Sequence, residues 1–114
     1  DGVLPELESR IADAFKKNNK IDGIFAVNEI YAGAALRVLR KLGKAIPQDV
    51  ALICFTDGLI SRYSYPSLTT VKQHAEEIGK AAAGKLIERL ENEDDNLKYE
   101  QKVIKSVIIE REST

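Results

Sequence analysis

Four groups of residues carry side chains able to do chemistry, and their spacing narrows what that chemistry is. Gly79-Lys80-Ala81-Ala82-Ala83-Gly84-Lys85 has the G-x-x-x-x-G-K spacing of a phosphate-binding loop, but Leu86 stands where a Ser or Thr hydroxyl would hold magnesium. The motif also falls inside a continuous helical pattern, where the backbone N–H groups are consumed by the helix. Packing at small residues is the simpler reading. His74 is the only histidine, so neither a His-based metal cluster nor a Cys–His zinc site can be assembled. A Ser–His–acid arrangement would pair His74 with Ser61, Ser64 or Ser67, none of which sits in a G-x-S-x-G elbow. Cys54, the only cysteine, lies in the apolar run Val50-Ala51-Leu52-Ile53-Cys54-Phe55 and is expected to pack as a small hydrophobe. No catalytic pair, metal set or cofactor motif emerges, which leaves an enzyme as the least favoured class.

The fourth group is more informative. Asn28-Glu29 and Thr56-Asp57-Gly58 each follow a short apolar run that reads as a buried strand. In open parallel sheets, ligands bind just outside the carboxyl ends of the strands. Short polar side chains there can hydrogen-bond hydroxyls, and a carboxylate can accept two bonds from a sugar. The structural alternative is that Asn28 caps a helix and Asp57-Gly58 forms a turn.

The elements that would position these groups follow from periodicity. Pro5 and the acidic residues beside it start a helix over 5–18, with Leu7, Ile11, Ala14 and Phe15 on one face. Gly23 to Val27 reads as a strand buried on both faces, and Asn28 then caps a helix over 29–42 that Gly43 stops. A second buried strand spans 50–55, giving a right-handed β-α-β unit with parallel strands. An irregular stretch with Tyr63, Tyr65 and Pro66 leads to a strand over 68–71 and a helix over 75–90, whose Ile78, Ala82, Leu86 and Leu90 are four apart. Glu91 to Asn96 reads as a charged loop, and strands over 102–110 precede a polar tail. With 114 residues, one compact α/β domain is the starting expectation.

Seventeen basic and 18 acidic residues leave a net charge of −1, so the chain offers no field that would gather DNA. No apolar run approaches the roughly 20 residues that cross a bilayer, and no membrane partner is expected. The single cysteine suits a cytoplasmic setting. The chain starts at Asp1 without a methionine and reads as trimmed from something longer.

Ile24 to Leu36, Ile46 to Ile53, Tyr63, Pro66, Leu68-Thr69-Thr70-Val71-Lys72-Gln73 and the ending Ile109-Glu110-Arg111-Glu112-Ser113-Thr114, taken in order, resemble the lactose-repressor family of bacterial transcription regulators. The resemblance covers nearly the whole chain. It implies a periplasmic-binding-protein-like fold, three-layer α/β/α with a parallel sheet, of which this chain would be mainly the C-terminal lobe, the helix after Gln73 belonging to the other lobe. It implies a homodimer that binds a sugar-like effector and reads operator DNA through an N-terminal helix-turn-helix that this chain lacks. Asn28 matches a family position that hydrogen-bonds effector, and Gln73 matches a hinge-side position that can reach the same pocket. Thr56 stands where the family commonly has a ligand-binding aspartate, and the adjacent Asp57 could take over part of that role. Tyr31, Gly33, Arg62, Tyr63 and Ser64 match a region at or near the dimer interface. A secreted sugar-binding protein of a transporter shares this fold and is the rival reading.

Overall fold

The computed structural model describes residues 3–92 and 98–114, and the chain divides into two compact units instead of the single domain expected. The first comprises residues 3–72 together with Ile108–Thr114, and the second is Gln73–Val107.

In the first unit, α1 (Val3–Lys17) leads to β1 (Gly23–Ala26), α2 (Glu29–Lys41), β2 (Ala51–Cys54), α3 (Leu59–Tyr63) and β3 (Thr69–Lys72). β4 (Val107–Ile109) completes a four-stranded sheet in the order β1-β2-β3-β4. β1 pairs parallel to β2 with Gly23 opposite Ala51 and Ala26 opposite Cys54, and β2 pairs parallel to β3 with Ile53 opposite Thr69. The fold is thus α/β with a parallel-dominated sheet. The Ile46–Pro47 and Tyr65–Pro66 peptide bonds are cis.

Burial explains why the helices settle where they do. Ala32 and Ala35 of α2 are small enough to bring that helix close to Ala26, Leu52 and Cys54, with Leu68 and Ile11 closing the cluster. A second cluster joins Phe15 of α1, Leu39 of α2 and Val50 just before β2. Both helices therefore cover one face of the sheet. The other face is not covered within this unit, and here the expected burial of the first strand on both sides fails: Phe25 is 56% exposed, and its ring leans on Phe55 at a centroid distance of 6.1 Å. Alternation along a strand sends Ile24 and Ala26 to the helices and Phe25 to the opposite side.

Two further expectations are corrected. The irregular stretch before Tyr63 contains the short helix α3, whose first turn has no local side-chain cap. The terminal strands expected over 102–110 reduce to β4, because a β-branched run becomes a strand only where a neighbour supplies the ladder. The polar tail beyond it is tied into the sheet by hydrogen bonds. Ser113 is fully buried; its carbonyl accepts from Leu52 N–H at 2.9 Å and its hydroxyl from Thr69 N–H at 2.8 Å, and that hydroxyl donates to the Leu52 carbonyl. The tail thereby continues the ladder beside β2 where β3 has not yet begun. Glu112 accepts from both the N–H and the hydroxyl of Ser67 at 2.8 Å.

The second unit contains α4 (Ala75–Glu91). None of its side chains is buried. His74 precedes it in a left-handed conformation, φ 54° and ψ 49°. The charged loop expected from Glu91 to Asn96 lies, beyond Asn92, outside the described residues.

Candidate functional site

β1 and β2 both end in polar residues, and the parallel register places those ends side by side. Asn28 follows β1 with an extended backbone and accepts the Tyr31 N–H on its Oδ1 at 3.0 Å, so it is the N-cap of α2. Its side-chain amide N–H groups have no partner among the described residues. A half-buried amide that caps with its oxygen still has two donors to offer.

After β2, Thr56 donates its hydroxyl to the Phe55 carbonyl, and its own carbonyl accepts from the Ser61 hydroxyl at 3.2 Å. Asp57 is occupied differently from the ligand-facing role considered for it. Only 6% of its side chain is exposed; Oδ1 accepts from Arg111 at 2.5 Å and Thr70 at 3.0 Å, and Oδ2 accepts from Arg62 at 2.9 Å. Burial opposes its ionisation, but the hydrogen bonds from Arg111, Arg62 and Thr70 outweigh that and hold the carboxyl below the ordinary range. Arg111 also donates to the Leu68 carbonyl at 2.7 Å. Asp57 therefore ties the C-terminal tail, β3 and α3 to the end of β2.

Glu29 plays an unforeseen part. Its Oε1 accepts the Ser61 N–H at 2.8 Å, supplying from α2 the acceptor that the first turn of α3 lacks locally. Gly58 is the space for that carboxylate: a Cβ built there would lie 2.3 Å from the nearest Glu29 carboxylate oxygen. The chemical sequence Asn-Glu and Thr-Asp-Gly was visible, but which of these residues face solvent and which lock the frame was not.

The other candidates separate. Gln73 belongs to the second unit and is half-buried. Tyr31 is exposed, Gly33 half-buried, and Tyr63 is 83% exposed on α3 beside Arg62 and Ser64. The serine hydroxyls that could have served a histidine are spent on other acceptors: Ser64 on the Pro66 carbonyl at 3.0 Å, Ser67 on Glu112 at 2.8 Å and Ser61 on Thr56. His74 approaches Glu77 at 3.4 Å. Burial pushes the Cys54 thiol up, away from the reactive thiolate. The glycine-lysine motif lies within α4, and Lys85 bonds Glu88 and Glu100. No helix is long and apolar enough to cross a membrane among the described residues. A cavity of about 600 Å³ lies away from the strand ends, lined by α2, the connection to β2 and the turn before β3.

Residues 4–114 match the periplasmic binding protein-like domain family. The HTH-type transcriptional regulator CelR of Thermobifida fusca is 36% identical over 73 residues, covering 64% of this chain and 22% of that protein. Among solved structures, a putative LacI-family regulator from Sanguibacter keddieii superposes with a TM-score of 0.87 at 33% identity, covering 96% of this chain and 42% of the other. A CelR–cellobiose complex does so with the same TM-score at 27% identity, covering 97% and 33%. The chain spans less than half the length of each of these relatives. With the match running over nearly its whole length, the chain belongs to the periplasmic-binding-protein-like domain family, and the relatives it matches include LacI-family transcription regulators.

Proposed function

We propose that this chain is part of the effector-sensing region of a cytoplasmic transcription regulator, a repressor that binds a sugar or related metabolite and changes its hold on operator DNA as a homodimer. The observation that carries this reading is the pair of polar strand ends, in a chain whose relatives are transcription regulators and one of whose structural neighbours is a complex with cellobiose. Asn28 would donate its free amide N–H groups to effector hydroxyls, Thr56 would contribute a hydroxyl, and Gln73, which matches a hinge-side position of the family, would be a further contact. Asp57 would act through the loop it anchors, since both its oxygens are engaged. Tyr31, Gly33, Arg62, Tyr63 and Ser64 would form the self-association surface; an exposed Tyr on a short helix suits an interface, where aromatic residues and Arg are enriched. DNA would be read by a helix-turn-helix outside this chain. The relatives' naming as transcription regulators favours this over a transport protein and over an enzyme.

The test is titration of the full-length protein with cellobiose and a panel of other mono- and disaccharides, while its affinity for operator DNA is followed. One carbohydrate is expected to bind at about micromolar concentration and shift DNA affinity, which requires different affinities for the two states. The 114-residue chain alone should bind it no more tightly than about millimolar. Micromolar binding to the short chain would overturn the two-lobe site, and a panel that leaves DNA affinity unchanged would overturn the regulatory reading.

A further inference from the structure

We propose that the cavity beside α2 is a second binding site, for a small phosphate-bearing metabolite, distinct from the strand-end site. Its volume of about 600 Å³ lies within the range of small-molecule sites. Arg37 and Arg40 line it from α2, Lys44 and Gln48 from the connection to β2, and Ser64 and Tyr65 from the turn before β3. The charged part of the lining is three cations and no carboxylate. Arg37 reaches Glu8 at 3.3 Å, whereas Arg40 and Lys44 have no acidic partner among the described residues. Lys44 is moreover half-buried. A cation drawn partly out of water without a counter-charge leaves a positive potential that an oxyanion relieves.

Magnitudes favour the anion. The carbonyl end of α2 opposes it with roughly half a negative charge, against the two positive charges of Arg40 and Lys44 that no carboxylate offsets, Arg37 being paired with Glu8. Guanidinium groups offer forked donors to phosphate oxygens, and Lys adds a point charge. The space exceeds what a bare phosphate fills, and Gln48, Ser64 and the Tyr65 hydroxyl can hydrogen-bond a polar body. A phosphate ester of a polyol or sugar fits that chemistry better than the free ion. None of Asn28, Thr56, Asp57 and Gln73 lines the cavity. Gly33 and Ser64 are shared with the proposed self-association surface, but the anion site does not rest on that surface.

Calorimetric titration with a hexose phosphate, inorganic phosphate and the neutral hexose, at fixed ionic strength, tests this. Any neutral-hexose binding belongs to the strand-end site and should survive loss of Arg40 and Lys44, whereas saturable binding, tighter than that of inorganic phosphate, is expected for the ester. The double variant Arg40→Ala/Lys44→Ala should weaken it about tenfold or more with an unchanged melting temperature. No saturable binding of the ester, or ester affinity that survives the double variant, would overturn the site. Inorganic phosphate binding as tightly as the ester would overturn the ester assignment. Sedimentation of the same samples keeps the readings apart, since loss of self-association with phosphate binding intact counts against the dimer surface alone.

Discussion

Asn28 spends its Oδ1 on the Tyr31 N–H and keeps its amide N–H groups uncommitted, so its structural and binding roles can be separated by chemistry. Asn28→Ser keeps a good cap and removes the donors, and should leave the melting temperature near that of the parent while weakening effector binding in the full-length protein about tenfold. Asn28→Ala should in addition cost about 1 kcal/mol of stability. A serine variant with parental effector affinity would reduce Asn28 to a cap. Asp57 invites the converse experiment. Its carboxyl and that of Glu112 are both held below their ordinary values of 3.8 and 4.5, Glu112 by the Ser67 backbone and side-chain bonds. A depressed carboxyl contributes stability that is present above its unfolded-state value and lost as pH falls through the folded one. Stability should therefore hold from neutral pH down to about 5 and decline below it. Exposed Glu100, depressed by Lys85, adds little, and Glu8, half-buried beside Lys41 and Arg37, acts in the same direction as Asp57. Asp57→Asn should lose about 2 kcal/mol at neutral pH and converge on the parent in acid, as followed by thermal melts across pH. Parallel pH profiles for parent and variant would show that Asp57 is not the titrating anchor.

At the level of elements, α2 and α3 are coupled through Glu29 and Gly58. Gly58→Ala forces the Glu29 carboxylate aside and breaks its bond to Ser61, an expected cost of about 1 kcal/mol. The carboxylate is the end of a flexible side chain, so the strain should vanish when it is gone. In a Glu29→Ala background the alanine at 58 should cost almost nothing, and a double-mutant cycle measured by chemical denaturation reads this directly. Additive costs would place the strain elsewhere. The same pair shows where the sequence was legible. The strand, Asn cap, helix and Gly43 stop of the β1-α2 unit are all written within a few residues of one another, and the structure has β1 at Gly23–Ala26 and α2 at Glu29–Lys41. α3 escaped because its acceptor comes from Glu29, 32 positions away from Ser61. Val103-Ile104 looked like a strand on propensity alone, yet strand structure begins only at Val107. At the candidate site, residue types and location at the strand ends could be read from the sequence. The commitment of Asp57 could not, because Arg111 lies 54 positions from it.

On the scale of the molecule, the two units differ in what holds them. The first closes on itself through its tail, with Ser113, Glu112 and Arg111 reaching residues 41 to 61 positions earlier. Each buried donor or acceptor left without its partner costs about 1–3 kcal/mol, and the tail satisfies several at once at Leu52, Thr69 and Asp57. Their sum is comparable with the 5–15 kcal/mol by which a domain is stable at all. The helix α4 of the second unit buries no side chain and relies on local pairs such as Lys80–Glu76 at 2.7 Å. A helix of 17 residues held that way is marginal in water. Ending the chain after Glu110 should therefore abolish the cooperative melt of the first unit, and hydrogen exchange should show it. Amides of α2 and β2, protected for long times in the intact chain, should exchange rapidly in the truncated one, while those of α4 exchange quickly in both. Retained protection in β2 after truncation would mean that the helices and sheet close without the tail. Strong protection of α4 in the intact chain would mean that its exposed face is covered in solution.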